Sequence, residues 1–439
     1  MELYNDDSLK MKKNNQEIVE KIHEIYMDAD QDTLRQRIAE HFIPTEEEKK
    51  GQAEIPTPVK LVDEMLDKIP EDFWTSPKRV LEPCCGKGNF VLGIYDRFFK
   101  GLEKMFPDEE ERHQVIVEEC LWFCDLSPLN VFITSELVRC HSNGFESPNT
   151  SVGDTLQKSW DFQFDAIIGN PPYNLTENSR NTLWDLFVKY SIKKLDVNGL
   201  LLYVHPALWR KPSTNKSKMN GLFKLMTTDN TIIYLEIHNT RDGMKTFKCG
   251  TRYDYYLLKK KFNENYKSKI IDEDGIEHKM DLSKLNWLSN KNYELIEKIT
   301  NSNEKINIIY SRSAYGNDKK WTNRTKSEKF KYPCVLTTPE KGIRYMYSEH
   351  KNNGHFGIKK VIFGETSTYN SFYDDDGSYG LTDGAIAIQE DNSIMANNIL
   401  TAIKSEKFTG LLKSCSWSNY RIEWNMMKDL NKNFWKEYN

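Results

Sequence analysis

Phe164-Asp165-Ala166-Ile167-Ile168-Gly169-Asn170-Pro171-Pro172-Tyr173 is an apolar run closed by an amide, two prolines and an aromatic ring. The run reads as a buried strand. Proline fixes φ and removes a backbone donor, so two in succession stop sheet pairing abruptly. What remains is a rigid rim with an Asn side chain, carbonyls without strand partners and a flat ring. Such a rim can hold a planar amino group by hydrogen bonds and stack on the ring that bears it. The expected chemistry is on the exocyclic amine of a nucleobase or on a side-chain amide.

On the N-terminal side, strand and helix patterns alternate. Val80-Leu81 ends a strand, 90–99 reads as helix, 120–124 as strand and 130–138 as helix. After the strand at 164–168 come a helix at 182–195, a strand at 200–204 and a strand pair at 232–237 and 253–260. This order predicts an α/β fold: a Rossmann-like, doubly wound sheet, mostly parallel, finishing in an antiparallel pair. Ligands of such sheets sit at the carboxyl ends of the strands, where the conspicuous polar motifs fall. Residues 56–69 read as a helix with Thr57-Pro58 as N-cap and first-turn proline, and with Leu61, Val62, Met65 and Leu66 on its buried face. Ile18, Ile22, Ile25 and Tyr26, then Leu34, Ile38 and Phe42, have helical spacing. They predict two short helices covering an edge of the main domain or packing on a partner. A polar stretch from Lys261 marks a boundary. The expected division is a helical extension at 1–50, a main domain at 51–262 and an α+β domain at 263–439.

Composition narrows the class. A chain of 439 residues suits two domains. Its eight cysteines form no CxxC pair, so no metal site is expected and reduced thiols in a cytoplasmic compartment are. No signal peptide opens the chain, and the longest apolar runs are too short to span a bilayer. The net charge of −4 hides a division. Residues 1–200 carry 23 basic against 37 acidic side chains, and residues 201–439 carry 38 against 28. A polyanion is expected to meet the second half. Trp209-Arg210-Lys211, Lys319-Lys320-Trp321-Thr322-Asn323-Arg324 and Lys359-Lys360 are basic–aromatic groups suited to phosphates and base edges.

Glu82-Pro83-Cys84-Cys85-Gly86-Lys87-Gly88-Asn89-Phe90 follows the first strand and opens a helix. Gly86 and Gly88 permit close backbone approach, and the helix start offers free N–H groups to an anion. An acidic residue before the loop suits a ligand that carries an ammonium as well as a carboxylate. Asp125 ends the next strand, where a carboxylate can accept from ribose hydroxyls or cap the helix starting at Pro128. Asp154 stands in a turn after the third strand and could accept from an adenine amino group.

With these residues in place, the chain resembles the γ-class amino-methyltransferases, the TaqI-like N6-adenine DNA methyltransferases of restriction–modification systems. The resemblance rests on Ile55-Pro56-Thr57-Pro58, on the Glu82–Phe90 loop and on Asn170-Pro171-Pro172-Tyr173, in that order. It covers roughly residues 50–260. It is looser over 330–430, where Gly380-Leu381-Thr382-Asp383 and Trp417-Ser418-Asn419-Tyr420 are similar to the family's specificity domains. The resemblance implies a methyltransferase domain bound to S-adenosylmethionine, a C-terminal target-recognition domain and double-stranded DNA as partner. A separate cognate endonuclease is a further partner it allows. Thr57, Pro58, Glu82, Pro83, Cys84, Gly86, Gly88, Phe90, Asp125, Leu126, Asp154 and Asn170 would bind the cofactor. Asn170 and the Pro171 carbonyl, with Pro172 shaping the rim, would hold the target amine. Tyr173 and Phe247 would pack on the flipped base.

Other readings share parts of this pattern. Release-factor glutamine methyltransferases carry the same tetrapeptide, and some RNA methyltransferases carry related motifs; a small protein substrate would not require the basic C-terminal region. Cytosine-N4 enzymes more often have Ser or Thr before the prolines. A non-catalytic DNA-binding subunit would not need both Asn170 and the glycine loop intact.

Overall fold

The computed structural model describes residues 3–45, 55–174, 182–213, 217–311, 313–417 and 422–438, without the side chains of 3–14, 31 and 32. Ser418, Asn419 and Tyr420 of the expected C-terminal motif lie outside the described residues. The chain forms two compact units, residues 1–207 with 224–284, and residues 208–223 with 285–439. The first unit ends at 284 rather than at the expected 262, because two further strands extend its sheet.

That sheet has nine strands in the order β3-β2-β1-β4-β5-β7-β6-β8-β9. They are β1 (Val80–Glu82), β2 (Leu121–Asp125), β3 (Thr150–Val152), β4 (Phe164–Gly169), β5 (Leu195–Pro206), β6 (Thr231–His238), β7 (Tyr253–Lys259), β8 (Ser268–Ile271) and β9 (Glu277–Met280). β3 through β5 run parallel. β7 enters antiparallel between β5 and β6, so the expected strand pair is present. The β8–β9 hairpin joins on β6 beyond it. β1 and β4 are neighbours although β1 leads to β2 on its other side. Their carboxyl ends therefore flank the point where the winding reverses, the place such sheets open a ligand crevice.

Both faces are covered, which is why β4 is apolar without alternation. On one face Val80, Phe123, Ala166 and Ile168 share a core with α3 (Val59–Leu66), α4 (Asn89–Gly101) and α5 (Pro128–His141). On the other, α6 (Trp184–Lys194) is tied down by Ser191 Oγ to Tyr203 Oη at 2.7 Å and by Trp184 stacking on His205. The N-terminal segment differs from two short helices: α1 (Leu3–Asp28) has 26 residues and α2 (Gln31–His41) has 11. Ile22, Ile25, Leu34 and Ile38 are buried in the same core as α3 and α4, so the apolar spacing marks a face packed on this unit. α3 runs from Val59 to Leu66, three residues short of the expected 56–69 at each end. Pro58 holds the cap position and makes no side-chain cap bond.

The second unit is α+β. Its strands are β10 (Asn307–Ile309), β11 (Thr322–Asn323), β12 (Tyr332–Thr337), β13 (Arg344–Ser348), β14 (Lys360–Gly364), β15 (Phe372–Asp374), β16 (Gly380–Leu381) and β17 (Ala385–Gln389). They form two four-stranded sheets in the orders β10-β17-β14-β15 and β11-β13-β12-β16. Helices Ser393–Lys404 and Glu406–Ser414 close one core with Val361, Phe363, Ile386 and Ile388. Two expected DNA-facing groups are corrected here. Arg210 is fully buried, its guanidinium donating to the carbonyls of Leu288 and Ser289 and to Asn290 Oδ1, beside a buried Trp209. Lys360 is fully buried against Asp374. Gly380-Leu381 is a short strand in the sheet, where a Cβ on Gly380 would come 2.7 Å from Cys334 Sγ. Lys320, Asn323, Arg324 and Lys359 are exposed. All eight cysteines are free thiols. Among the described residues, no helix is long and apolar enough to cross a membrane, and no His, Cys, Asp and Glu cluster could hold a metal ion.

Candidate functional site

A cavity of about 290 Å³ opens in the first unit. Thr57, Pro83, Cys84, Gly86, Phe90 and Asp125 line it. So do Leu126, Asp154, Asn170, Pro171, Pro172 and Tyr173. Residues 115 apart in the chain thus meet in one space.

The glycine loop forms one wall. Gly86 and Gly88 have φ of +51° and +87°, left-handed values that a side chain disfavours. The Gly86 N–H donates to Asp125 Oδ2 at 2.9 Å, fixing the loop on β2. Asp125 Oδ1 accepts from the Ser127 N–H at 2.8 Å and from Asn130 Nδ2 at 3.2 Å. A carboxylate has roughly four acceptor positions, so three are already used by the fold. Ser127, not Asp125, caps α5. Burial raises the Asp125 pKa, and these three donors oppose it. Leu126, 64% exposed, offers an apolar face beside it. Asp154 sits at the exposed rim, capping the short turn 155–157 through the Leu156 N–H at 3.0 Å. Burial holds the Cys84 and Cys85 thiols well above their ordinary pKa, so they stay protonated.

Glu82 lies beneath the loop, 2% exposed, and is not itself among the lining residues. Its Oε2 accepts from the Cys84 N–H at 3.1 Å, and its Oε1 is buried with no partner among the described residues. Burial, and after it the charge of Asp125, hold its carboxyl well above the usual range. Gly169 gives this side chain its room, since a Cβ there would stand 2.2 Å from Oε1.

Asn170 is held by one end only. Its Nδ2 donates to the Ile55 carbonyl at 3.2 Å, and its Oδ1 is buried with no partner among the described residues. A carbonyl can only accept, so this bond fixes which end of the amide is free. The Ile55–Thr57 segment is also anchored by Asn89 Nδ2 to the Thr57 carbonyl at 2.8 Å. Thr57 Oγ1 and the Tyr173 hydroxyl are likewise buried with no partner among the described residues. Burial raises the Tyr173 pKa, keeping the phenol neutral. The Leu183 N–H donates to the Tyr173 carbonyl at 3.0 Å, securing the far end of the rim.

Three expected residues stand elsewhere. Pro58 and Gly88 are absent from the cavity lining; Gly88 caps α4 behind the loop. Phe247 ends a helix, α7 (Thr240–Phe247), and packs edge-on to Tyr253 at 4.9 Å, against the core. Other lining residues escaped sequence reasoning. Lys87 donates to Asn130 Oδ1 at 2.6 Å, and both line the cavity with Asn89, Phe187, Ala39 and Phe42. Gly169 carried a signal, a glycine directly before the rim. Lys87 and Asn130 carried none, because their pairing crosses 43 residues of chain.

Residues 129–247 match the Eco57I restriction-modification methylase family. An uncharacterized adenine-specific methylase of Mycoplasma pneumoniae is 24% identical, over 38% of this chain and 57% of its own length. The chain therefore spans little more than half of that relative. A nuclease-deletion mutant of the Type ISP restriction-modification enzyme LlaGI, solved with a DNA substrate mimic, shares the fold. Its TM-score is 0.50 at 13% identity, over 84% of this chain and 53% of that one. The type IIG restriction endonuclease BpuSI gives 0.45 at 11%, over 92% and 62%. The nine-stranded unit has the mixed α/β fold of restriction–modification methyltransferases. S-adenosylmethionine is the cofactor named for a further structural neighbour, a putative class I methyltransferase of Listeria monocytogenes with a TM-score of 0.36 at 12% identity, over 55% of this chain and 69% of that one.

Four buried groups without partners among the described residues, Thr57 Oγ1, Glu82 Oε1, Asn170 Oδ1 and Tyr173 Oη, lie at or just beneath this cavity. Buried polar groups are normally paired, so this set is suited to a polar ligand. A cofactor with an ammonium, a ribose and a base fits that donor and acceptor set.

Proposed function

We propose that the chain is a site-specific DNA methyltransferase acting on adenine N6, of the γ-class order, in a restriction–modification setting. The observation that carries this reading is the Asn170 amide, with Nδ2 pinned to Ile55 and Oδ1 free and buried. Asn170 Oδ1 and the Pro171 carbonyl accept the two N–H bonds of the target amine. Both acceptors draw the nitrogen away from planarity and turn its lone pair toward the cavity. S-adenosylmethionine supplies, when bound, a methyl group on a cationic sulfonium. The nitrogen loses its proton after the new bond forms, so no strong base is required. Catalysis rests on alignment and fixed polar groups.

Cofactor binding falls to Glu82 for the ammonium, Asp125 for the ribose and Leu126 and Phe90 for the base, with Thr57, Pro83, Cys84, Gly86 and Asp154 completing the wall. Asp125 has room for about one further donor. Tyr173 stacks on the flipped adenine, paired until then in duplex DNA. Phe247 is left as packing on Tyr253. The exposed Lys320, Arg324 and Lys359 of the second unit serve phosphate contacts.

The test uses cofactor labelled in its methyl group, incubated separately with unmethylated genomic DNA, RNA and release-factor protein. Label recovered as N6-methyladenine in DNA supports the reading. Label only in RNA, only in a glutamine amide, or only at cytosine N4 replaces it.

A further inference from the structure

The second N-terminal helix ends at the cavity. Ala39 and Phe42 line it together with the glycine loop and the Asn170 rim. Phe42 is the C-cap residue of α2, its N–H bonded to the Ile38 carbonyl, and its ring is half-buried against the core. Both side chains are apolar, in a cavity whose strand-end walls carry the orphaned polar groups.

α2 is locked in place by a half-buried clamp. Arg35 Nη1 donates to Asp63 Oδ1 of α3 at 2.7 Å and lies 3.6 Å from Asp96 Oδ2 of α4. Asp96 Oδ1 is 2.7 Å from His141 Nε2 of α5, and His141 Nδ1 is 3.1 Å from the Tyr26 hydroxyl of α1. That hydroxyl also donates to the Leu137 carbonyl at 2.9 Å. Gly93 makes the clamp possible, because a Cβ there would come 2.8 Å from Arg35 Nη2. α4 is the helix that starts at the glycine loop. The clamp therefore sets the end of α2 against the same element that carries the loop.

We propose that the end of α2 is a wall of the cofactor site, with Phe42 and Ala39 in contact with bound S-adenosylmethionine; this rests on the methyltransferase reading above. The N-terminal helices then serve ligand binding as well as packing. A wall of this kind shields the cofactor from water with apolar area and adds no charge. Its removal weakens the cofactor and its demethylated product alike.

Calorimetric titration of the full chain with S-adenosylmethionine, and separately with S-adenosylhomocysteine, tests this. Phe42→Ala should weaken both ligands by roughly tenfold, the loss expected for removing part of a ring's buried area. Phe42→Leu should stay within about threefold of the wild type on the same scale. His278→Ala removes the contact to Asp272 on the β8–β9 hairpin, at the sheet edge away from the cavity and outside the clamp; it should lower the melting temperature and leave both affinities unchanged. Wild-type affinity in Phe42→Ala overturns the proposal. So does an equal loss in His278→Ala, which would make the effect one of general stability. A wild-type chain that binds neither ligand overturns the cofactor reading itself, and the wall with it.

Discussion

Each unit buries charge, and each treats it differently. In the second unit Lys360 and Asp374 are both fully buried and fully answered. Lys360 Nζ donates to Asp374 Oδ2 and to the Ile358 carbonyl, and Asp374 accepts from the N–H groups of Ser378 and Tyr379. In the first unit Glu82 and Asn170 are held by one atom each, and the other oxygen is left alone. Glu82 is as buried as Lys360 and Asp374, and the opposite satisfaction of these groups separates scaffold from site. A network that closes on itself fixes a fold. One that stops at a cavity is completed by a ligand.

The sharpest way to break this contrast lies on the scaffold side. Lys360→Met leaves Asp374 buried without its cation. The loss expected for breaking a buried pair is about 3–5 kcal/mol. Urea unfolding should show it in the transition of the second unit, while cofactor affinity of the folded protein stays unchanged. An affinity loss matching the stability loss would remove the division of labour.

On the site side, Gly169→Ala puts a methyl group where Glu82 Oε1 lies. Forced repacking of that sort costs about 1–3 kcal/mol. The variant should bind S-adenosylmethionine roughly tenfold or more weakly, the equivalent of displacing one charged contact. Unchanged affinity by calorimetry would detach Glu82 from the cofactor.

The smallest effect is a pH dependence. Burial and then Asp125 raise the Glu82 pKa above its ordinary 4.5 in the ligand-free fold. The folded chain therefore holds this proton more tightly than the unfolded chain does. Its contribution to stability is complete below pH 4.5 and is lost as pH rises through the folded value. An ammonium beside Oε1 displaces the proton. Affinity should rise with pH across that window, by at most about tenfold per unit, with proton release measurable in buffers of different ionisation heat. Glu82→Gln should flatten the slope; equal slopes in both proteins would put the titration elsewhere.

The strand run 164–169, the glycine loop and the rim were legible because each is local. Proline, glycine and continuous apolarity act within a few residues. The doubly wound order followed from the same signals. The partners of the site residues did not. Asn170 is oriented by the Ile55 carbonyl and Asp125 is occupied by Gly86 and Asn130, pairings that arise only when strand ends converge. Lys360 and Arg210 read as surface cations because a side chain's sequence gives no sign of a buried counter-group. The apolar face of α2 was plain, but the cavity at its end was not.

The central claim is that the free oxygen of Asn170 holds the adenine amine. It is tested most directly by measuring cofactor affinity and N6-methyladenine formation together in Asn170→Ala. At saturating cofactor, methylation of genomic DNA should fall by about 10²–10³, the usual loss for one preorganised polar contact and well beyond the accompanying loss of cofactor affinity. Wild-type levels of N6-methyladenine in that variant would contradict the account.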